Sequence, residues 1–141
     1  MKLILSIIFL LLSFQLVAET SDTRIAIQIP GKFKPLLLSD MRKNLEVVQG
    51  IVAALSKEDF EQIEKLASKL GRMEHSDELI QRRQLMPEGY KALGPQMHRS
   101  FQAIARDARD FGGMEQTLEQ LSILMNVCTT CHRTYRLEVT E

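Results

Sequence analysis

From Leu38 to Leu55, apolar residues fall at Leu38, Met41, Leu45, Val48, Val52 and Leu55, at alternating spacings of three and four. That rhythm puts all six on one face of an α-helix, at the period of a helix-bundle seam. It returns further along the chain at Leu118, Leu121, Met125, Cys128, His132 and Tyr135. A chain with two such stripes buries them by packing helix against helix.

Two more helices lie between them. Ser56-Lys57-Glu58-Asp59 reads as a helix start, with Ser56 as N-cap and acidic residues in the first turn. Phe60, Ile63, Leu66 and Leu70 form its buried stripe, and Gly71 is its stop. Residues 72–94 are irregular, with a short helix opening at Ser76 and punctuation at Pro87, Gly89 and Gly94. Pro95 is read as the first residue of the next helix, where its missing N–H costs nothing. That helix carries Met97, Phe101, Ile104 and Ala108 on one face and ends at Gly112-Gly113. The last helix is expected from about Met114 to about Leu137. One link is tight, one is long (residues 72–94) and one is a glycine pair; short links favour antiparallel neighbours, so the expected fold is all-α, an antiparallel four-helix bundle over residues 35–141.

The segment before the bundle divides in two. Met1-Lys2, the apolar run Leu3–Phe14 and the small-residue site around Ala18 have the pattern of a secretory signal peptide, residues 1–18. The run is shorter than the roughly 20 residues a membrane span needs. Residues 19–34 form an N-terminal arm in which Ile25, Ile27 and Ile29 alternate with other residues, as in a short extended stretch. With Lys2 removed, 17 basic residues face 18 acidic ones, so nothing in the charge suggests nucleic acid. Once the signal is cleaved, no other segment is apolar enough to span a membrane. Export places the chain in the periplasm.

Residues 128–132 read Cys-Thr-Thr-Cys-His and contain the chain's only two cysteines. Cys-x-x-Cys-His is the attachment signature of c-type haem, with two thioether bonds and an iron-ligating imidazole. Spacings of three and four put Cys128, Cys131 and His132 within about one helical turn, where thiols and imidazole reach one porphyrin together. Cys128 and His132 also continue the Leu118–Leu121–Met125 stripe, which directs the haem into the bundle core. Three other uses of the cysteines compete. One is ordinary buried thiols. A thioredoxin-like pair belongs in a strand–helix unit that this chain does not display. A zinc site normally takes four protein ligands.

The run Cys128-Thr129-Thr130-Cys131-His132-Arg133-Thr134-Tyr135-Arg136, ending a four-helix pattern in a signal-bearing chain, resembles the cytochrome c-prime family, the class II c-type cytochromes. Segments 40–49 and 93–101 are similar to one branch of that family. The resemblance implies one covalent haem c bound through Cys128 and Cys131, with His132 as proximal iron ligand and Arg136 near the haem's polar side. Some members leave the distal position open under an apolar residue of the first helix and bind small gases. Others supply a methionine there and transfer electrons. Met41 is the candidate methionine, about a turn inside the first helix. Leu38, one turn earlier, covers an open site if that helix begins at Pro35. His98 and His75 are weaker ligand candidates. A Met/His pair raises the reduction potential.

The expected function is single-electron transfer to a transient redox partner protein. The alternatives are a five-coordinate protein binding nitric oxide or carbon monoxide, and a haem-free helical binding module. No constellation of acid, base and nucleophile points to an enzyme. The resemblance allows a homodimer through the first two helices, with Ile51 and Ala54 as apolar residues off the core stripe.

Overall fold

A computed structural model describes residues 22–72 and 76–141, and these are mostly helical. The signal-peptide segment, Met73 and His75 lie outside the described residues. In chain order the elements are β1 (Ile25–Pro30), α1 (Phe33–Leu55), α2 (Phe60–Gly71), α3 (Asp77–Gln84), α4 (Glu88–Asp110), α5 (Met114–Thr134) and β2 (Tyr135–Thr140). Among the described residues, no helix is long and apolar enough to cross a membrane.

The long helices pack α1 on α2, α2 on α4 and α4 on α5, while α1 and α5 meet only lightly. Ile51, Ala54 and Leu55 of α1, Ile63 and Ala67 of α2, Phe101, Ile104, Ala105 and Ala108 of α4, and Leu121 and Leu124 of α5 form the main core. Ala67 is fully buried, and a side chain at Gly71 would collide with Gln102, so small residues let α2 and α4 approach closely. Asp107 fastens α4 to α5 by accepting hydrogen bonds from Gln116 Nε2 and Gln120 Nε2.

Several boundaries differ from the sequence reading for local reasons. Ser56 finishes α1 and does not start α2: its hydroxyl donates to the Ala53 carbonyl at 2.8 Å. Glu58 takes a positive φ of 54° in the turn, and Asp59 is the N-cap of α2, accepting from the Gln62 N–H at 3.0 Å. Ser76 does open a short helix, its hydroxyl accepting from the Leu79 N–H. Pro95 lies inside α4 and not at its start. A proline there removes one helical hydrogen bond. The first turns are held from outside, because Tyr90 meets Tyr135 edge-on with ring centroids 5.7 Å apart. Gly112, at φ 58°, ends the α4 region as expected.

The buried faces of α1 and α5 are rotated from the expected stripes. In α1 the buried residues are Phe33, Leu37, Ile51, Ala54 and Leu55, whereas Leu38, Leu45 and Val52 are exposed. Ile51 and Ala54 are therefore core residues and not surface available for a homodimer. In α5, Thr117, Leu121 and Leu124 are buried, while Leu118 and Met125 are exposed.

The last helix stops at Thr134. From Tyr135 the chain is a strand paired in parallel with β1, in the register Ile25↔Tyr135, Ile27↔Leu137 and Ile29↔Val139. Alternation does the rest: Ile27 and Ile29 turn inward with Leu137 and Tyr135, and make a second small core with Leu37, Met86 and Tyr90. On the other face, Gln28 donates to Glu138 at 2.9 Å. The sheet closes the end of the helical body where α1 begins and α5 finishes.

Candidate haem site

Cys128, Cys131 and His132 occupy the last two turns of α5, with both thiols half-buried and free and the imidazole exposed. Arg24, just before β1, donates from Nη1 to the His132 carbonyl at 3.2 Å. This neutralises one of the unpaired carbonyls of a helix C-terminus and ties the motif to the sheet. Arg24 in turn is held by Asp22 at 2.6 Å, and that pairing lowers the Asp22 carboxyl to about 2.

One cavity of about 30 Å³ is lined by Ile27, Met41, Tyr90, Cys131 and His132 together with Tyr135, Arg136 and Leu137. The fold thus brings Met41 and His132, 91 residues apart in sequence, to one place (132 against 41). Leu38 is not among the lining residues and faces outward. His98 sits elsewhere, its Nδ1 on the Leu70 carbonyl at 2.5 Å, and so acts as a tie between α2 and α4. The cavity has room for little more than a water molecule, far below the roughly 300–1,000 Å³ of a small-molecule site.

The apolar surface bordering it is larger. Gly50 marks the side of α1 that meets α2, against Leu66. Gln116 and Gln120 mark the side of α5 that meets α4. On the far side of α1 lie Leu38, Leu45 and Val52; on the far side of α5 lie Leu118, Met125 and His132. These residues leave apolar surface exposed on both helices, which meet each other only lightly. Arg136 contributes the other chemistry. Its Nε is buried without a partner, while its Nη1 reaches Glu138 at 3.4 Å. A buried N–H with no acceptor is costly unless a ligand supplies one. A thioether, an imidazole, a thiol and a guanidinium therefore line one cavity, with the second thiol, Cys128, one turn earlier on α5.

Burial pushes both the Cys128 and the Cys131 thiol up, and for Cys131 the neighbouring Cys128 adds to it. That is the reverse of the depressed pKa that activates a redox or catalytic cysteine. Among the described residues, no three His, Cys, Asp or Glu side chains gather as a metal-binding group, Cys128, Cys131 and His132 included.

Tyr90 and the sheet are the parts sequence reasoning missed. Tyr90 sits in a stretch punctuated by Pro87 and Gly89, which reads as a loop. Gly89 is where it is because a side chain there would strike the Tyr135 hydroxyl. Burial, helped by the neighbouring Cys131, pushes the Tyr90 phenol up to about 12. A phenol held neutral in the fold while its unfolded counterpart ionises near 10 stabilises the fold fully below pH 10, and that contribution is lost as pH rises toward 12. The shift corresponds to roughly 2–3 kcal/mol. Urea denaturation between pH 9 and 12 is expected to show this loss in the wild type and a flatter profile in Tyr90→Phe. Equal profiles would exclude Tyr90 as the cause.

Comparison with models of known protein families, with curated proteins and with solved structures found no match to this chain.

Proposed function

We propose that this chain is an exported, periplasmic mono-haem c-type cytochrome of the cytochrome c-prime type, with its four long helices forming an antiparallel bundle around the haem. The observation that carries the reading is the meeting of Cys131, His132, Met41 and Arg136 at one cavity. The iron of a bound haem supplies the exchange of one electron. Cys128 and Cys131 hold the porphyrin covalently, and His132 is the proximal ligand. Met41 would supply the second protein ligand to the iron, and an imidazole–thioether pair favours ferrous iron and raises the potential. Arg136 offers its unpaired Nε to a haem carboxylate. The exposed position of His132 leaves this end of the molecule accessible to a redox protein, in the small, transient contact typical of electron transfer.

Met41 is favoured over an open, gas-binding site because it lines the cavity, whereas Leu38 faces outward. The test is the ferrous absorption spectrum of the matured protein with and without carbon monoxide. Sharp low-spin bands that carbon monoxide changes slowly are expected, and Met41→Ala is expected to give a high-spin spectrum that responds at once. A wild type that is already high-spin would make the chain a gas-binding haem protein. A colourless wild type from a host competent in haem attachment would leave a haem-free binding module.

A further inference from the structure

Arg82 is the one fully buried residue of α3, at 8 % exposure; Leu79 is half-buried and the rest of the helix faces solvent. Its Nη1 and Nη2 both donate to Oδ2 of Asp40, at 2.9 Å each. Asp40 precedes Met41 in α1. Arg82 Nε is buried with no partner, so the guanidinium is committed to this carboxylate although it is incompletely satisfied. Four residues on, Met86 packs with Leu37, one turn before Met41. Four further on, Tyr90 lines the cavity with Met41 itself. Arg82 thus holds Asp40, while Met86 shares a small core with Leu37 and Tyr90 a cavity with Met41, all on the one stretch of α1 that carries Met41. A surface helix that buries a charged residue stabilises little by doing so, and what this pair fixes is the position of a single turn.

We infer that Arg82 is a positioning residue: by gripping Asp40 it holds the turn of α1 that presents Met41 to the cavity shared with His132. The inference rests on the haem reading and on Met41 as the distal ligand. The ion pair works through the backbone between Asp40 and Met41, and it belongs to neither the main core nor the attachment motif.

The experiment uses the full chain matured with haem. It compares the wild type with Arg82→Gln, Asp40→Asn and the swapped double variant Asp40→Arg/Arg82→Asp, each verified by circular dichroism to be as helical as the wild type. The readout is the weak ferric charge-transfer band of thioether-ligated iron, together with carbon monoxide binding to the ferrous form. Arg82→Gln and Asp40→Asn are each expected to lose more than half of the band and to bind carbon monoxide faster, and the swap is expected to recover part of it. If Arg82→Gln does not fold, Asp40→Asn gives the same reading. A full band in both single variants, even with a lowered melting temperature, overturns the inference and leaves the haem reading intact. A wild type with attached haem but no thioether band also overturns it, because Met41 is then not on the iron. A colourless wild type removes the haem reading itself.

Discussion

Changing Cys128 and Cys131 together to serine is expected to turn a red protein colourless after extraction with acidified organic solvent, and to return its mass to that of the bare polypeptide. The effect is all-or-none because these are the chain's only cysteines. No other side chain can form a thioether to the porphyrin. Under the proposed function, a haem lacking both bonds would be held only by His132, Met41 and Arg136, and such contacts would not survive unfolding. Each single variant keeps one bond and is expected to keep its colour through extraction. The measurement is mass spectrometry before and after extraction. A wild type whose mass equals the polypeptide would remove the proposed function, and a double variant that retains the added mass would show attachment elsewhere.

Phe101→Ala is expected to cost about 3–5 kcal/mol of stability, the usual range for removing a buried aromatic ring. Phe101 is 1 % exposed and lies in the cluster that joins Ile63 and Ala67 of α2 to Leu121 and Leu124 of α5. The neighbours cannot easily close the gap. α2 and α4 already touch at Gly71 and Gln102, and Ala67 of α2 and Ala105, one turn along α4, are too short to fill the space. Against a typical total of about 5–15 kcal/mol, this is a large fraction. Urea denaturation of wild type and variant in the same haem state is expected to give a much lower midpoint at an unchanged slope. A midpoint within error of the wild type would place Phe101 outside the closed core.

The helical character was legible because apolar residues repeat at three and four, and so were Gly71 at the end of α2 and Gly112 just after α4. The exact buried face was not. In α1 and α5, Leu45, Val52, Leu118 and Met125 carry the rhythm of a buried stripe while remaining exposed, because the core contacts fall on Ile51, Ala54 and Leu55 and on Leu121 and Leu124. The Cys-Thr-Thr-Cys-His motif was plain in sequence, as was Met41. That they share one end of the helical body was expected as well, from antiparallel packing of the first and last helices; of the motif, Cys131 and His132 line the cavity with Met41. The sheet was half visible. Ile25, Ile27 and Ile29 alternate as a strand does, but its partner begins at Tyr135, a residue that also fits the helical rhythm of α5. Parallel pairing across the whole helical body leaves no local turn signal to find. Arg82 and Asp40 are 42 residues apart, and nothing in either neighbourhood announces the other.

The parallel ladder also has a kinetic side. Gln28 and Glu138 are 110 residues apart, so the amides of Ile25–Pro30 wait for nearly the whole polypeptide to be synthesised before they find partners. The equilibrium cost of so wide a closure is modest, since it grows only logarithmically with length, but contacts this distant slow folding. In the interval a nascent chain carries an unpaired strand edge, a surface that neighbouring molecules can zip onto. Cys131 lies only four residues before that ladder begins. If haem is attached as proposed, the thiols would have to react either in the short interval before this ladder forms or beside the completed sheet.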